Sequence, residues 1–328
     1  MQTDVQDYFS FQRGFKDIGD VKIFETEQLH KLEKELDSLI PNGKIYVIHG
    51  EAGVGKSATL VEIQNRLRKQ KKFTVCDTLA FETHKITIRS LTDVIFEDIG
   101  PDKGFKIPSA LEKRERALCT LIQKRGRPIV LFVDDAQDLN SQTLQSLRRM
   151  VQNIKKRTKF FLTIVLVGHP RLNYLFSRPH MQNIGHTIEN FEFITMNITE
   201  KLNYVHWLLN EVKVKSRKQT KVINDDAIKH LIAQVSTPRQ ITHYLEKAFI
   251  EAYQAGDKVI SKDIILSILS GNINSIEARL TRLGYNSKMI SAIIGINKKE
   301  SEGFMANRLE PYRMKEIQAN LIKEGVLL

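Results

Sequence analysis

The chain has 328 residues, of which 41% are hydrophobic and 27% are charged, a composition typical of a globular protein with two or three domains. Lys and Arg outnumber Asp and Glu by 50 to 38, so the net charge is +12. This surplus favours a polyanionic partner such as DNA, RNA or an anionic membrane, although a basic surface that only aids solvation is the alternative. No apolar stretch approaches about 18 residues, so no membrane-spanning helix is predicted.

The cysteines and the first residues of the chain indicate the cellular compartment of the protein. Cys76 and Cys119 are the only cysteines, and they do not have the spacing of a metal site. The polar start of the chain does not resemble a signal peptide. Together these features predict reduced thiols and a cytoplasmic protein without a membrane partner.

The first part of the chain, residues 1–44, is predicted to be a lead-in to the first strand. Within it, Glu27–Leu39 places Leu29, Leu32 and Leu36 at helical spacing, which predicts a helix. Three further parts are predicted after it, which are a nucleotide-binding core (45–198), a helical domain (199–270) and a C-terminal unit (274–328).

A glycine-rich loop follows the first predicted strand, Ile45–His49, and precedes a helix predicted over Ala58–Lys69. Residues 50–57 read GEAGVGKS and match the phosphate-binding P-loop pattern at every fixed position. The glycines let backbone N–H groups converge on phosphate oxygens at the positive end of a helix. We expect Lys56 to reach the β- and γ-phosphates and Ser57 to bind Mg²⁺. The candidate nucleotide-binding residues are Gly50, Glu51, Ala52, Gly53, Val54, Gly55, Lys56, Ser57 and Ala58.

A pair of acids ends a later strand. Ile129–Val133 is a continuous apolar run, which is typical of a central parallel strand, and Asp134 and Asp135 follow it. A carboxylate at this end of such a strand completes the Mg²⁺ site beside a P-loop, so Asp134 is the predicted metal ligand. Asp135 is the candidate to polarise the attacking water. The alternative is that the pair caps the next helix, predicted around Ser141–Val151.

Strands and helices alternate through this core and then the strands stop. The alternation predicts an α/β fold with a mostly parallel sheet. The predicted strands are Ile45–His49, Phe73–Leu79, Ile129–Val133, Phe161–Val167 and a short one near Phe191–Ile194. An all-helical domain is predicted next, with helices at Thr199–Val212, Asp225–Val235, Pro238–Ala255 and Ser261–Leu269.

The C-terminal unit has the pattern of a helix-turn-helix. A helix that ends at Gly295 is followed by another near Lys298–Asn307, and Leu321–Val326 resembles the closing piece of a winged variant. Glu300 and Glu302 on the proposed recognition helix suit base reading poorly. DNA binding and protein docking therefore both remain open for this unit.

Positive charge is concentrated in three runs, at Arg148–Lys159, Arg66–Lys72 and Lys213–Lys221. The strongest run contains Lys155, Lys156 and Arg157, which we take as candidate contacts to DNA phosphates. The alternative is that these runs are solvated helix faces. It applies most to Arg66–Lys72, because cations at the end of a helix favour the helix dipole.

Three further motifs accompany the P-loop and carry a family resemblance. Residues 133–139 read VDDAQDL, 166–172 read LVGHPRL and 236–241 read STPRQI. The first two resemble the acidic and strand-end motifs of ExeA-like ATPases, and the third resembles their sensor 2 segment. Over about residues 9–269 the chain thus resembles the AAA+ branch that also contains the transposition regulators MuB, TniB and TnsC. The resemblance implies a P-loop core with a helical lid, and hydrolysis of ATP with Mg²⁺.

The resemblance also implies roles for single residues. His169 takes the sensor 1 place near the attacking water, although an ordinary strand-end histidine is the alternative, and Arg239 takes the sensor 2 place on the γ-phosphate. The usual arginine finger is replaced by Gly185-His186, and the nearest arginine, Arg178, is a candidate to act on a neighbouring subunit. This role would imply a ring or a helical filament of identical subunits.

The family comparison extends to the DNA contacts and to the rate of hydrolysis. In MuB- and TnsC-like proteins the loop after the second strand follows the DNA backbone, which adds Lys85 and Arg89 to the candidate phosphate contacts. Asp135 stands where the family usually has the longer glutamate. This difference predicts slow hydrolysis, which suits a switch better than a motor.

The sequence therefore predicts an ATP-dependent, DNA-binding regulator of DNA transposition. Such a protein would oligomerise on DNA with ATP, recruit transposase or target-selection proteins, and disassemble on hydrolysis. The alternatives are an ExeA-type secretion or cell-envelope ATPase, an origin-recognition or helicase-loader-like ATPase, and a switch without useful hydrolysis. ExeA-type proteins usually carry a membrane span and a wall-binding domain, and neither is predicted here.

Overall fold

The computed structural model describes residues 23–78, 86–100, 105–177, 181, 188–212, 221–269 and 275–326. Two compact units divide the chain. The first, here called the sheet unit, comprises Glu25–Gly50 and Lys56–Phe193. The second, here called the helical unit, includes Glu51–Gly55 and Ile194–Leu328. The four domain ranges given above stay a prediction.

The sheet unit alternates strands and helices. Its strands are β1 (Ile45–Gly50), β2 (Thr74–Asp77), β3 (Ile129–Val133), β4 (Leu162–Gly168) and β5 (Glu189–Phe193). Its helices are α1 (Glu27–Leu39), α2 (Lys56–Gln70), α3 (Ile88–Ile99), α4 (Leu111–Arg125), α5 (Ser141–Arg157) and α6 (Arg171–Ser177). Short 3₁₀ turns lie at Ile40–Asn42 and Ala136–Asp138.

The five strands form one parallel sheet in the order β2-β3-β4-β1-β5. The register aligns Val47 of β1 with Leu166 of β4, and Val133 of β3 with the same Leu166. β1, β3 and β4 are buried along their whole length, as continuous apolar runs in a parallel sheet require. The predicted α/β fold with a parallel sheet is confirmed, and every strand begins within two residues of its predicted start.

Helices cover this sheet because their apolar faces pack on it. The main core joins Ile95 and Phe96 of α3, Leu118 and Ile122 of α4 and Leu147 of α5 to the apolar strand residues. Side chains cap the starts of two of these helices. The side chain of Thr26 accepts from Leu29 N–H at the start of α1, and that of Asn140 accepts from Thr143 N–H at the start of α5.

One buried arginine ties α3 to α4. Arg114 is 3% exposed, its guanidinium forms an ion pair with Asp93, and its Nε donates to Thr92 Oγ1 at 3.1 Å. It also donates to the carbonyls of Pro108 at 3.1 Å and Arg89 at 3.2 Å. Every partner of this charge is therefore supplied from within the sheet unit, as a buried cation requires.

The helical unit contains four helices that resemble the predicted lid. They are α7 (Ile198–Val212), α8 (Asp225–Gln234), α9 (Pro238–Gln254) and α10 (Lys262–Ile268), and they share one apolar core. α9 begins with Thr237 and Gln240 in a capping box and Pro238 at the first position. The side chain of Ser261 caps α10 by accepting from Ile264 N–H, whereas the side chain of Asn224, which precedes α8, makes no cap bond.

Four further helices follow in the described part of this unit, α11 (Ile276–Arg282), α12 (Ser287–Ile294), α13 (Lys298–Met305) and α14 (Pro311–Lys323). Gly295 ends α12 in the left-handed conformation, with φ of 71°, so the predicted turn is present. The first half of the predicted winged piece is different, because Leu321–Lys323 belongs to the helix α14. Among the described residues, no helix has the length and apolar character needed to cross a bilayer.

We predict that Arg114→Ala lowers the free energy of unfolding by about 3 kcal/mol, because Thr92 and two carbonyls lose their partner and Asp93 loses its counter-ion. Urea denaturation followed by circular dichroism measures this change. Arg116→Ala is the matched control, since Arg116 lies on the same helix and is exposed. Equal stability of the two variants would contradict the role given to Arg114.

Candidate functional site

The P-loop begins at the end of the central strand β1. Gly50 packs against the backbone of Phe193 in β5, where an added Cβ would stand only 2.3 Å from the Phe193 carbonyl oxygen. Lys56, the first residue of α2, is 9% exposed, and its Nζ donates to the Gly50 carbonyl at 2.8 Å. The fold therefore holds the lysine head at the first residue of the loop, next to the strand that carries it.

Ser57 meets the first acid of the predicted metal site. Its hydroxyl donates to Asp134 Oδ2 at 2.8 Å, although 76 residues separate them between α2 and the end of β3. A serine hydroxyl and a carboxylate are oxygen ligands of the kind that Mg²⁺ prefers. Gly53 and Gly55, with φ of 85° and 109°, have the backbone conformations in which loop amides can turn towards a phosphate. The serine and the carboxylate thus fit Mg²⁺, and the two glycine conformations are those of a phosphate-binding loop.

The second acid is held in a small network. Asp135 has a left-handed backbone, with φ of 50°, and its N–H donates to Asp134 Oδ1 at 2.9 Å. Its Oδ1 accepts from Gln137 Nε2 at 3.0 Å. The other end of the same amide, Gln137 Oε1, accepts from the backbone N–H of His169 at 3.1 Å. One side chain thus links the candidate water-polarising acid to the candidate sensor 1 residue.

Gln137 was not singled out by the sequence, although it lies inside the VDDAQDL motif. It is only 8% exposed and packs against the last residue of β4, where a Cβ on Gly168 would come within 2.4 Å of its Oε1. Gly168 therefore has to be glycine for this amide to reach His169. The sequence feature that could have indicated this contact is Gly168, which directly precedes His169.

A buried histidine stands behind the P-loop in β1. His49 Nε2 lies 2.6 Å from Asn173 Nδ2 of α6, so the ring accepts from the amide when Nε2 carries no proton. Burial lowers the pKa of His49, the charge of Lys56 lowers it further, and Glu192 acts in the opposite direction. The ring is accordingly neutral at pH 7 and adds no positive charge beside Lys56.

The middle of the P-loop contacts α9 within the helical unit. Arg239 N–H donates to the Gly53 carbonyl at 3.2 Å, and a Cβ on Gly53 would lie 2.8 Å from Arg239 Cβ and 3.1 Å from Thr237 Oγ1. The structure therefore brings the candidate sensor 2 arginine to the P-loop. The start of α9 is fixed there by the Thr237 cap and Pro238.

A second arginine reaches the same loop and was not predicted. Arg282, the last residue of α11, accepts from Ala52 N–H with its carbonyl at 2.9 Å. Its Nε lies 3.5 Å from Glu51 Oε2, and its side chain is 15% exposed. No sequence signal joins the two segments, because the contact spans more than two thirds of the chain.

The remaining candidate residues lie elsewhere or outside the described part. Lys155, Lys156 and Arg157 form the last turn of α5, and Arg89 lies in the first turn of α3. Lys85 and Arg178 lie outside the described residues, as do Gly185 and His186. Of the weaker run at Arg66–Lys72, Arg66 binds Asp37 at 2.8 and 2.9 Å and Arg68 forms an ion pair with Asp77, so both are used structurally.

Comparison with known proteins agrees with this geometry. Residues 41–176 match the protein family described as "AAA domain". A comparison with curated proteins finds no match. Among solved structures, the chain is similar to the ORC2 protein of Aeropyrum pernix in its ADPNP–ADP complexes, with a TM-score of 0.60 and 13% identity over 93% of this chain and 88% of that chain.

Two further structures extend the likeness. Drosophila ORC bound to DNA gives a TM-score of 0.55 and 15% identity, covering 93% of this chain and 81% of that chain. A Walker-type ATPase of Pyrococcus abyssi gives a TM-score of 0.53 and 18% identity, covering 92% of this chain and 90% of that chain. At such identities the likeness shows the fold. With the AAA domain match and the site described above, this chain has the P-loop AAA+ fold and is an ATPase that uses ATP and Mg²⁺.

We predict that Gln137→Ala lowers kcat for ATP by about tenfold to a hundredfold with little change in KM, because Asp135 and His169 lose the amide that positions them. Steady-state ATPase assays measure both constants. Gln142→Ala, an exposed glutamine on α5, is the control. A rise in KM with unchanged kcat would place Gln137 in nucleotide binding instead.

Proposed function

We propose that this chain is an ATP-dependent DNA-binding ATPase that gathers on DNA in the ATP-bound state and leaves it after hydrolysis. The proposal rests on the hydrogen bond between Ser57 and Asp134 beside the P-loop, in a chain whose net charge is +12. A protein with such a charge attracts a polyanion, and nucleotide hydrolysis gives it a way to reverse the attraction.

In the proposed mechanism, bound Mg-ATP supplies the γ-phosphoryl group that water attacks. Lys56 places its positive charge beside the loop that holds the phosphates. Ser57 and Asp134 supply oxygen ligands to the metal. Asp135 orients the attacking water and accepts its proton, and Gln137 keeps the carboxylate and the His169 backbone in fixed positions. Arg239, whose N–H donates to the Gly53 carbonyl within the helical unit, is the residue that we propose to respond to nucleotide state.

Regulation of DNA transposition is the first setting that we propose. The motifs VDDAQDL, LVGHPRL and STPRQI support it, because they resemble those of the ExeA-like branch that contains transposition regulators. In this setting the partners are DNA, transposase or target-selection proteins, and further copies of the chain. Arg178 would complete the site of a neighbouring copy.

An origin-recognition type of ATPase is the second setting, and it has comparable support. The ORC proteins of Aeropyrum pernix and Drosophila share the fold over most of this chain, including the part after the lid, and two of the structures are described as bound to DNA. The two settings differ in the partner protein. A transposase gene beside this gene would favour transposition, and a replication origin or helicase gene would favour the other.

The DNA-binding proposal predicts that a non-hydrolysable ATP analogue tightens binding to labelled duplex DNA. Lys56→Ala abolishes this response because the phosphates lose their main charge partner. Asp135→Asn keeps the tighter DNA binding with the analogue but no longer hydrolyses ATP. Its complexes with DNA therefore last longer than those of the wild type when ATP is present. Fluorescence anisotropy and an ATPase assay measure the two quantities.

Asp138→Asn is the matched control for Asp135→Asn, since this exposed acid lies in the 3₁₀ turn that Asp135 precedes. DNA affinity that does not respond to nucleotide would refute the proposed switch. Electron microscopy with DNA and the same analogue tests assembly, where rings or filaments around the duplex are expected. Isolated monomers on DNA would contradict the assembly step.

A further inference from the structure

Four segments that lead into neighbouring strands are basic and contain no acid. They are 41–44 before β1, 68–73 before β2, 123–128 before β3 and 152–161 before β4, and they read PNGK, RKQKKF, QKRGRP and QNIKKRTKFF. Together they hold twelve of the 50 Lys and Arg residues and none of the 38 Asp and Glu residues. The other 38 basic residues are balanced by the 38 acids, so these four segments account for the whole net charge of +12.

The fold brings the four segments together along one edge. The strands they enter are consecutive neighbours, in the order β2, β3, β4, β1, and all are parallel. Their amino-terminal ends therefore lie side by side in a row about 14 Å long, from a strand spacing of about 4.8 Å. Asp134 follows the carboxyl end of β3, so the basic row lies at the opposite edge of the sheet from the metal-binding acid.

Helix ends explain only part of this charge. Lys69, Lys155 and Lys156 lie in the last turns of α2 and α5, where cations favour the helix dipole. Lys71, Lys72, Arg127 and Lys159 come after the helices and are exposed. Others serve the fold, since Arg68 pairs with Asp77, Arg125 donates to the Gly100 carbonyl and Lys44 lies 3.2 Å from Glu189. An exposed set of cations thus remains without a structural explanation.

We infer that this row, here called the basic edge, binds the phosphate backbone of duplex DNA. The inference rests on the proposed DNA-binding function and names the surface that performs it. The length of the row is comparable with the major groove of about 12 Å, so its ends can reach phosphates on both sides of a groove. Its lysines are point charges that suit phosphate contacts independent of sequence.

The surface chemistry favours DNA over a membrane. The exposed large apolar side chains of the described part of the chain are Val61, Phe105, Leu111, Ile194, Ile198, Leu266, Tyr312 and Ile322, and all of them lie outside the four segments. A membrane-bound surface would bury apolar groups beside its cations. Lys155, Lys156 and Arg157 belong to the basic edge, whereas Arg89 lies outside its four segments.

The test removes five exposed cations from the basic edge, in the variant Lys71→Gln, Lys72→Gln, Arg127→Gln, Lys156→Gln, Lys159→Gln. The control removes five exposed cations elsewhere, Lys31→Gln, Lys113→Gln, Arg116→Gln, Lys229→Gln, Lys262→Gln, with the same change in net charge. Anisotropy with a random-sequence duplex and the ATP analogue is measured over a series of salt concentrations. ATPase activity without DNA checks that the ATP site is intact.

We expect the edge variant to bind DNA at least about tenfold more weakly than the control variant, with a salt slope lower by about 0.9 for each lost phosphate contact. Equal affinities and slopes in the two variants would overturn the inference while the wild type's DNA binding, and with it the proposed function, stands. Failure of the wild type to bind DNA would overturn both.

Two further measurements cover a loss of folding in the variant and binding to a membrane instead of DNA. If the fivefold variant melts below the control, the smaller variants Lys71→Gln, Lys72→Gln and Lys156→Gln, Lys159→Gln are compared with Lys113→Gln, Arg116→Gln, and each is expected to lower the slope. Vesicles with anionic lipid are tested against both fivefold variants. Loss of vesicle binding with unchanged DNA binding in the edge variant would identify a membrane surface and overturn the inference.

Discussion

The parallel alignment of β3, β4 and β1 is the constraint on which the site depends. Because the three strands are neighbours and run in one direction, their carboxyl ends meet at one edge of the sheet. The P-loop begins at that edge after β1. Asp134 and Asp135 follow β3 there, and His169 follows β4. The hydrogen bond between Ser57 and Asp134 is the direct result, since this alignment brings together two residues that lie 77 positions apart in the chain.

The same alignment separates the two kinds of charge. The acids that suit a metal follow the strands, and the cations of the basic edge precede them. Because the strands are parallel, residues that precede them lie at one edge of the sheet and residues that follow them lie at the opposite edge. A carboxylate that holds Mg²⁺ and a lysine that holds DNA phosphate would weaken each other in direct contact. Separation by the length of a strand would let one sheet carry both the metal site and the proposed DNA contact, because salt screens charges over about 10 Å.

Features that depend on local sequence were predicted well. The P-loop, the apolar strands, the turn at Gly295 and the start of the helix at Pro238 each have a signal within a few residues. The parallel sheet followed from the alternation of strands and helices. The roles of Asp135, His169 and Arg239 stay predictions, although the structure brings Arg239 to Gly53 and links Asp135 to His169.

Features that depend on distant contacts were missed for a physical reason. Gln137 reaches His169 only because Gly168 has no side chain, and a sequence does not show which strand will lie beside the 3₁₀ turn. Arg282 reaches Glu51 and Ala52 only through the packing of the helical unit. The basic edge was likewise seen as separate runs, because the order of the strands decides that four distant segments become one surface.

The short acid at position 135 fits an enzyme in which assembly matters more than turnover. Asp135 has a left-handed backbone, its carboxylate accepts from Gln137, and its side chain is one methylene shorter than that of a glutamate. In the role proposed for Asp135, a shorter acid polarises water less effectively, so we expect ATP to stay intact for longer. In the proposed switch, which remains on DNA until a partner arrives, that delay is useful. The geometry of Asp135 is thus consistent with slow hydrolysis as part of the proposed switch.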